Sequence, residues 1–280
     1  MKALVTGAGG QLGRALVAQL GPSAHPLTHG DLDVTDAAAV SAVVRSARPD
    51  VVINATAYNK VDAAESELEA AFAVNAAAVL SLALAAKRAA ALFVHVSSDY
   101  VFDGTQSRPY VEDDAPRPIN AYGRSKRAGE MMVEAVGAPV LLVRTSGVFG
   151  PGGSRAKGGS FVDRILERAK TGAALRVVDD QRFAPTYAPD LAVALVGLIA
   201  GGATGTFHVA NEGACSWYDL AVAALELADV GSTVHRISSA ELAAPARRPA
   251  YSVLSSARHA ERTGAPLRPW RAALAEMLGR

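Results

Sequence analysis

Tyr122 and Lys126 stand four residues apart in the stretch Asn120-Ala121-Tyr122-Gly123-Arg124-Ser125-Lys126. The residues that follow have a helical pattern, and on a helix positions i and i+4 share a face. The phenol and the ammonium then point the same way. A free tyrosine has a pKa of about 10 and is a poor proton donor near neutrality. A fixed positive charge beside it favours phenolate and lowers that pKa, which suits the pair to general acid–base work. The same spacing also occurs on solvated helices with no chemistry at all. Two other stretches bear on the choice.

The first is Gly7-Ala8-Gly9-Gly10-Gln11-Leu12-Gly13, between the apolar run Lys2–Thr6 and an amphipathic helix ending near Leu20. Glycines here let the backbone approach a pyrophosphate, and the helix N-terminus supplies free N–H groups and partial positive charge. The second is Ser97-Ser98-Asp99-Tyr100, at the end of the apolar run Leu92–Val96. A strand-end hydroxyl can hydrogen-bond a substrate carbonyl, although serines at strand ends are often only caps. Small residues in Asn54-Ala55-Thr56-Ala57-Tyr58 suit either close cofactor packing or a tight core.

These stretches need a scaffold. Apolar strands are expected at 2–6, near 27–28, at 51–54, 92–96 and 140–143, with helical patterns between them and one long helix from Glu65 to Ala90. Such alternation predicts a doubly wound parallel α/β (Rossmann) sheet over residues 1–146, a dinucleotide-binding domain whose ligand lies at the carboxyl edge. Residues 147–280 form a smaller, interleaved substrate-binding region, with 186–210 returning to the sheet. A flexible loop is expected over 151–159 and helices over 161–170, 188–198 and 217–227. Strands are expected at 175–178 and 206–209, and a terminal helix closes the chain. The second strand ends in Thr28-His29, neither acidic nor arginine. With no carboxylate to repel a 2′-phosphate, NADPH is expected as cofactor, with NADH also accepted.

The bulk numbers exclude several classes. A net charge of +1 over 280 residues gives no electrostatic case for nucleic acid or an anionic membrane surface. The single cysteine, Cys215, excludes an internal disulfide and fits a reducing, cytoplasmic compartment. No clustered His/Cys ligands suggest a metal site. The glycine-rich start is unlike a signal peptide, and no apolar run is expected to reach the ~20 residues of a membrane span.

Together, Gly-x-x-Gly-x-x-Gly, a strand-end serine and Tyr-x-x-x-Lys resemble the extended short-chain dehydrogenase/reductase superfamily. More narrowly, the chain resembles the dTDP-4-dehydrorhamnose reductase family. Gly9–Gly13, Asp33–Asp36, Val61–Ser66, Ser97–Gly104, Tyr122–Lys126, Asp180-Gln181 with Pro185-Thr186, and Arg248-Pro249 carry the likeness. The resemblance implies Tyr122 as proton donor, Lys126 as its partner and a holder of the nicotinamide ribose, and Ser98 as orienter of a sugar C4 carbonyl. It implies cofactor contacts from Gly7, Gly10, Gln11, Leu12, Gly13, Asp33, Val34, Ala55, Ala57 and Tyr58. For a dTDP-sugar it implies Ser98, Asp99, Tyr100, Gln181 and Arg248.

Three positions depart from the family's pattern, all in the substrate half. Gly147 replaces the tryptophan that packs on the sugar, Phe183 replaces a glycine, and Ser160 replaces an asparagine. Two other readings stay open: an epimerase or dehydratase of the superfamily, and a cofactor-binding regulatory subunit. The usual dehydratase glutamate after the strand-end hydroxyl is missing, since Asp99-Tyr100 follows Ser98. The segment Gln11–Ala15 holds no carboxylate for a metal-bridged dimer, so a monomer or weak homodimer is expected.

Overall fold

The computed structural model describes residues 1–153 and 159–280, so the middle of the expected 151–159 loop lies outside the described residues. β1 (Ala3–Thr6) leads into α1 (Gln11–Leu20), and β2 (Ala24–Leu27) follows. Asp36 caps α2 (Ala37–Ala47) by accepting the Ala38 and Ala39 N–H groups at 2.9 and 3.0 Å, then β3 (Val51–Asn54) begins. Every residue of β1 and β3 is buried, as an interior strand of a two-faced parallel sheet requires.

The long helix starts later than its pattern suggests. Asp62–Glu67 are taken up by a turn of 3-10 helix and its flanks, and α3 (Leu68–Phe72) then runs through a π turn at Ala73–Ala77 into α4 (Ala78–Arg88). Leu68–Arg88 spans 21 residues, and its most apolar 18-residue window has mean hydropathy 1.8. That corrects the expectation that no apolar run is long enough to span a membrane. Here its apolar surface has a partner in the protein: Val79, Leu82, Ala83 and Ala86 pack against α2, β3 and β4. β4 (Leu92–Ser98), α5 (Ala121–Val136) and β5 (Val140–Thr145) complete the first half, both strands running about two residues longer than expected.

The second half begins with β6 (Val148–Phe149) and α6 (Phe161–Lys170). Ser160 and Asp163 form a reciprocal capping box at the start of α6, a local reason for serine at that position. β7 (Leu175–Val178), β8 (Arg182–Phe183), β9 (Thr186–Tyr187), α7 (Ala188–Ala200), β10 (Gly205–His208), β11 (Cys215–Ser216), α8 (Trp217–Ala228), β12 (Val234–Ile237), α9 (Ser239–Leu242), α10 (Ala257–Thr263) and α11 (Trp270–Met277) follow. The two-residue strands, β12 and α10 are too short for a clear periodicity.

The main sheet is parallel throughout, in the order β10-β5-β4-β3-β1-β2. One face is covered by α1 and α7 through Leu12, Leu16, Leu191, Leu195 and Leu198. The other is covered by α2, α4 and α5 through Val40, Val44, Val79, Leu82 and Val133. A second core, around Phe149, Val162, Phe183, Leu220 and Leu274, lies under α6, α8 and α11. Ligands of such sheets bind at the carboxyl edge where strand order reverses, here between β1 and β3.

Candidate active site

The glycine loop closes on itself and on the end of β3. Gly7 has φ +71°, and a Cβ there would sit 2.8 Å from the Ala55 carbonyl carbon. A Cβ on Gly13 would fall 2.1 Å from the Gly7 oxygen, so the loop can lie against α1 only if residue 13 is glycine. Gly10 starts α1 with no side-chain cap, which leaves first-turn N–H groups for an anion. Gln11 and Arg14 tie this loop to the second half, donating to Gly150 O at 3.3 Å and Gly153 O at 3.0 Å. Leu12 is buried in the core below.

The end of β2 differs from its sequence reading. Asp31 folds back and accepts from the Thr28 N–H (2.9 Å) and hydroxyl (2.6 Å), which hold its carboxyl below the usual range. A carboxylate therefore stands where Thr28-His29 suggested none. Asp33 accepts from the Thr35 hydroxyl and N–H, and these bonds lower its pKa too. Val34 turns its side chain into the core beside Val40 and Val44, leaving only backbone for a ligand. Ala57 is exposed. Tyr58 is clamped by Asn75 of the π turn, whose side chain bonds its N–H at 2.9 Å and its carbonyl at 3.0 Å. Asn75 also donates to Ser125 on the Tyr122 helix, a link with no sequence signal beyond its place in a long helix.

Helix α5 is pinned at its start by two caps. Asn120 accepts from Gly123 N–H at 2.7 Å, and Glu65 accepts from Ala121 N–H at 2.8 Å. Tyr122 stands edge-on to Tyr100, ring centroids 5.9 Å apart. Lys126 is buried and donates to Val96 O at 2.7 Å, two residues before Ser98. Ser98 donates to Asp99 at 3.0 Å and accepts from Tyr100 N–H at 3.2 Å. Burial pushes the Tyr122 phenol up to about 12, while a hydrogen bond with Ser98 acts the other way. The expectation that Lys126 lowers the phenol is thus not met in this state, because desolvation dominates. Lys126 is itself pushed down to about 8 by burial, with Glu130 opposing.

The expected substrate residues divide. Asp99 is buried, and its carboxylate accepts the hydroxyls of Ser98, Ser146 (2.7 Å) and Ser252 (2.6 Å). It ties β4, the turn after β5 and the C-terminal segment together, and is not open to a ligand. Burial raises it to about 6 against these bonds. Arg248 forms a two-pronged pair with Asp62 at 2.6 and 2.7 Å, near Tyr100. Gln181 is buried, donating to the Ser239 hydroxyl at 2.8 Å and accepting from the Trp217 indole N–H at 3.2 Å. Buried hydroxyls of Thr56, Ser97 and Thr145 have no hydrogen-bond partner among the described residues. Thr145 is the register partner of Ser98.

A glycine cradle at a strand-order reversal lies beside a constellation of buried Ser98 and Lys126 with half-buried Tyr122. The profile of the family described as RmlD substrate binding domain matches residues 1–280. The chain belongs to this family. It is 43% identical over 286 residues to a dTDP-4-dehydrorhamnose reductase of Mycobacterium tuberculosis, covering 98% of this chain and 91% of that one. It is 39% identical over 279 residues to a dTDP-4-keto-6-deoxy-D-glucose reductase of Streptomyces niveus, covering 98% and 95%. A solved dTDP-4-dehydrorhamnose reductase from Bacillus anthracis, in complex with NADP, superposes with TM-score 0.93 at 36% identity, covering 99% of each chain.

Proposed function

We propose that this protein is an NADPH-dependent reductase of the C4 ketone of a dTDP-4-dehydro-6-deoxyhexose, with dTDP-4-dehydro-L-rhamnose as the first sugar to test and NADH as a second cofactor. The observation that carries the reading is the convergence of Ser98, Tyr122 and Lys126 at one carboxyl edge, next to a glycine cradle that a Cβ would fill. The cradle fits a dinucleotide: Gly7, Gly10 and Gly13 leave room for a pyrophosphate on the first turn of α1, and Ala55 and Ala57 flank it. NADPH, when bound, supplies the hydride.

The chain's own residues do the rest. Tyr122 holds the proton that the ketone oxygen needs as negative charge develops there. Ser98 shares a hydrogen bond with that phenol and fixes its direction. Lys126 places a positive charge one helical turn away, and its ammonium would hold the nicotinamide ribose of a bound cofactor. Tyr100 packs on Tyr122 and, with Arg248, lines the way to the nucleotide-sugar. The lone buried cysteine suits a cytoplasmic location, and we take the protein as a monomer or weak homodimer.

The test is cofactor oxidation, followed by nicotinamide absorbance, with dTDP-4-dehydro-L-rhamnose and with the D-gluco ketosugar, beside Tyr122→Phe. Turnover lost in the variant supports the reading. Cofactor binding with no reduction of either sugar sinks it.

A further inference from the structure

Gly147 and Phe183 compete for one space. Gly147 has φ +50°, and a Cβ built there would lie 2.3 and 2.6 Å from two ring carbons of Phe183. No side chain of any size fits at 147 while that ring is in place. Residue 147 is close to the chemistry: Ser146 before it is bonded to Asp99, and Thr145 is the register partner of Ser98. Gly147 is partly open, whereas Phe183 is buried.

Phe183 is also held firmly from behind. Its ring lies 4.1 Å, centroid to centroid, from that of Trp217, whose indole N–H donates to Gln181. The strand that carries it is clamped to the C-terminal segment, with Arg182 N–H donating to Ala250 O and Ser252 N–H to Arg182 O, both at 2.8 Å. Ser252 reaches Asp99 through its hydroxyl. One connected wall thus runs from the second core to the catalytic serine, and the Phe183 ring is the part of it that lies under residue 147.

We propose that Phe183 sets the sugar specificity of this crevice by filling, from the core side, the space that a side chain at 147 needs. The floor at 147 is then bare backbone, and the crevice is wider there by one side chain. Phe183 acts through Gly147 and is a positioning residue. The proposal rests on the ketosugar-reductase reading and names the element that decides which 4-keto-6-deoxyhexose is accepted.

Three variants test it: Phe183→Gly, Gly147→Trp and the double variant. Thermal stability, KM and kcat for the two ketosugars, KM for NADPH, and calorimetric affinity for dTDP-glucose are measured. Phe183→Gly should raise the ketosugar KM by roughly tenfold with NADPH KM unchanged. Gly147→Trp should lose folding or sugar binding. The double variant should recover the part of the stability lost to the clash, though not the strain of a non-glycine residue at φ +50°, bring sugar KM to within a few-fold of wild type, and shift the preference between the two sugars, which is the signature of coupled neighbours. Losses in the double variant equal to the product of the single losses overturn the proposal. So does a Phe183→Gly variant that melts earlier but keeps the same KM and sugar preference. If wild type reduces neither sugar, the reductase reading fails. Stability coupling and dTDP-glucose affinity then still decide whether Phe183 and Gly147 act as one unit.

Discussion

Ser98 gives its hydroxyl proton to the Asp99 carboxylate at 3.0 Å while accepting the Tyr100 N–H at 3.2 Å. A hydroxyl has one proton and two lone pairs. That proton is committed to Asp99, while the hydrogen bond between Ser98 and the Tyr122 phenol acts to lower the phenol's pKa against burial. Ser98 can donate to a phenolate or to a ketone only when Asp99 releases it. Asp99 therefore orients the proton relay without touching a substrate.

Asp99→Asn should lower kcat by more than tenfold, because an amide offers one acceptor oxygen to three serine hydroxyls. Stability should fall by roughly 1–3 kcal/mol from the unpaired donors. The folded pKa of Asp99 is raised to about 6 from 3.8. Its contribution to stability is thus fully present below about pH 4 and is lost as pH rises through about 6. The margin of wild type over the variant should narrow across that window. Melting curves between about pH 4 and 7 check this, and a constant margin refutes it.

Lys126 is pushed down from 10.5 to about 8 by burial. For a base with a depressed folded pKa, the charged form is disfavoured in the fold, and stability rises with pH between about 8 and about 10.5. Lys126→Met should be inactive yet at least as stable as wild type near pH 7. The gain is bounded by about 3 kcal/mol from the pKa difference, less about 1 for the donor lost by Val96 O. The gap should close toward pH 10.5. A variant less stable than wild type at every pH refutes the account.

Asp31 places a negative charge at the end of β2, where the adenosine ribose of a dinucleotide is read. A carboxylate there accepts from a 2′-hydroxyl and repels a 2′-phosphate. Asp31→Asn should shift the ratio of kcat/KM for NADPH over NADH several-fold toward NADPH. An unchanged ratio means the ribose lies elsewhere.

Much of this was readable from the chain because the sheet strands are short, apolar runs and the helices between them are periodic. Gly7 and Gly13 were readable because their positions demand the absence of a Cβ, which only glycine meets. The tie of Asp99 to Ser146 and Ser252 was not, since it joins residues 47 and 153 positions away through hydroxyls common on any surface. Asp31 was missed because its carboxylate reaches the strand end by a turn of the chain and not by its place in the strand. The sheet of residues 1–146 is finished by the second half: β10 at 205–208 pairs with β5 and α7 packs on α1, in the 186–210 stretch expected to return to it.

Glu130 is fully buried and bonds Arg144 through both oxygens at 2.9 Å, with Arg127 at 3.0 Å. Arg144 lies on β5, opposite Ser97 of β4 and His208 of β10. The pair fastens the helix of Tyr122 and Lys126 to the sheet. Glu130→Gln leaves a buried guanidinium short of its counter-charge and should cost about 3–5 kcal/mol in urea unfolding. It also removes the charge that holds the Lys126 pKa up against burial. The alkaline limb of the kcat/KM profile, where Lys126 loses its proton, should therefore move to lower pH. Replacing both partners by apolar groups, Glu130→Leu with Arg144→Met, should return much of the stability, since a buried pair so replaced is often neutral. It should not return the limb, because the negative charge near Lys126 is still missing. A limb that stays in place in Glu130→Gln, with the same loss of stability, would make Glu130 a fastener of the helix and nothing more.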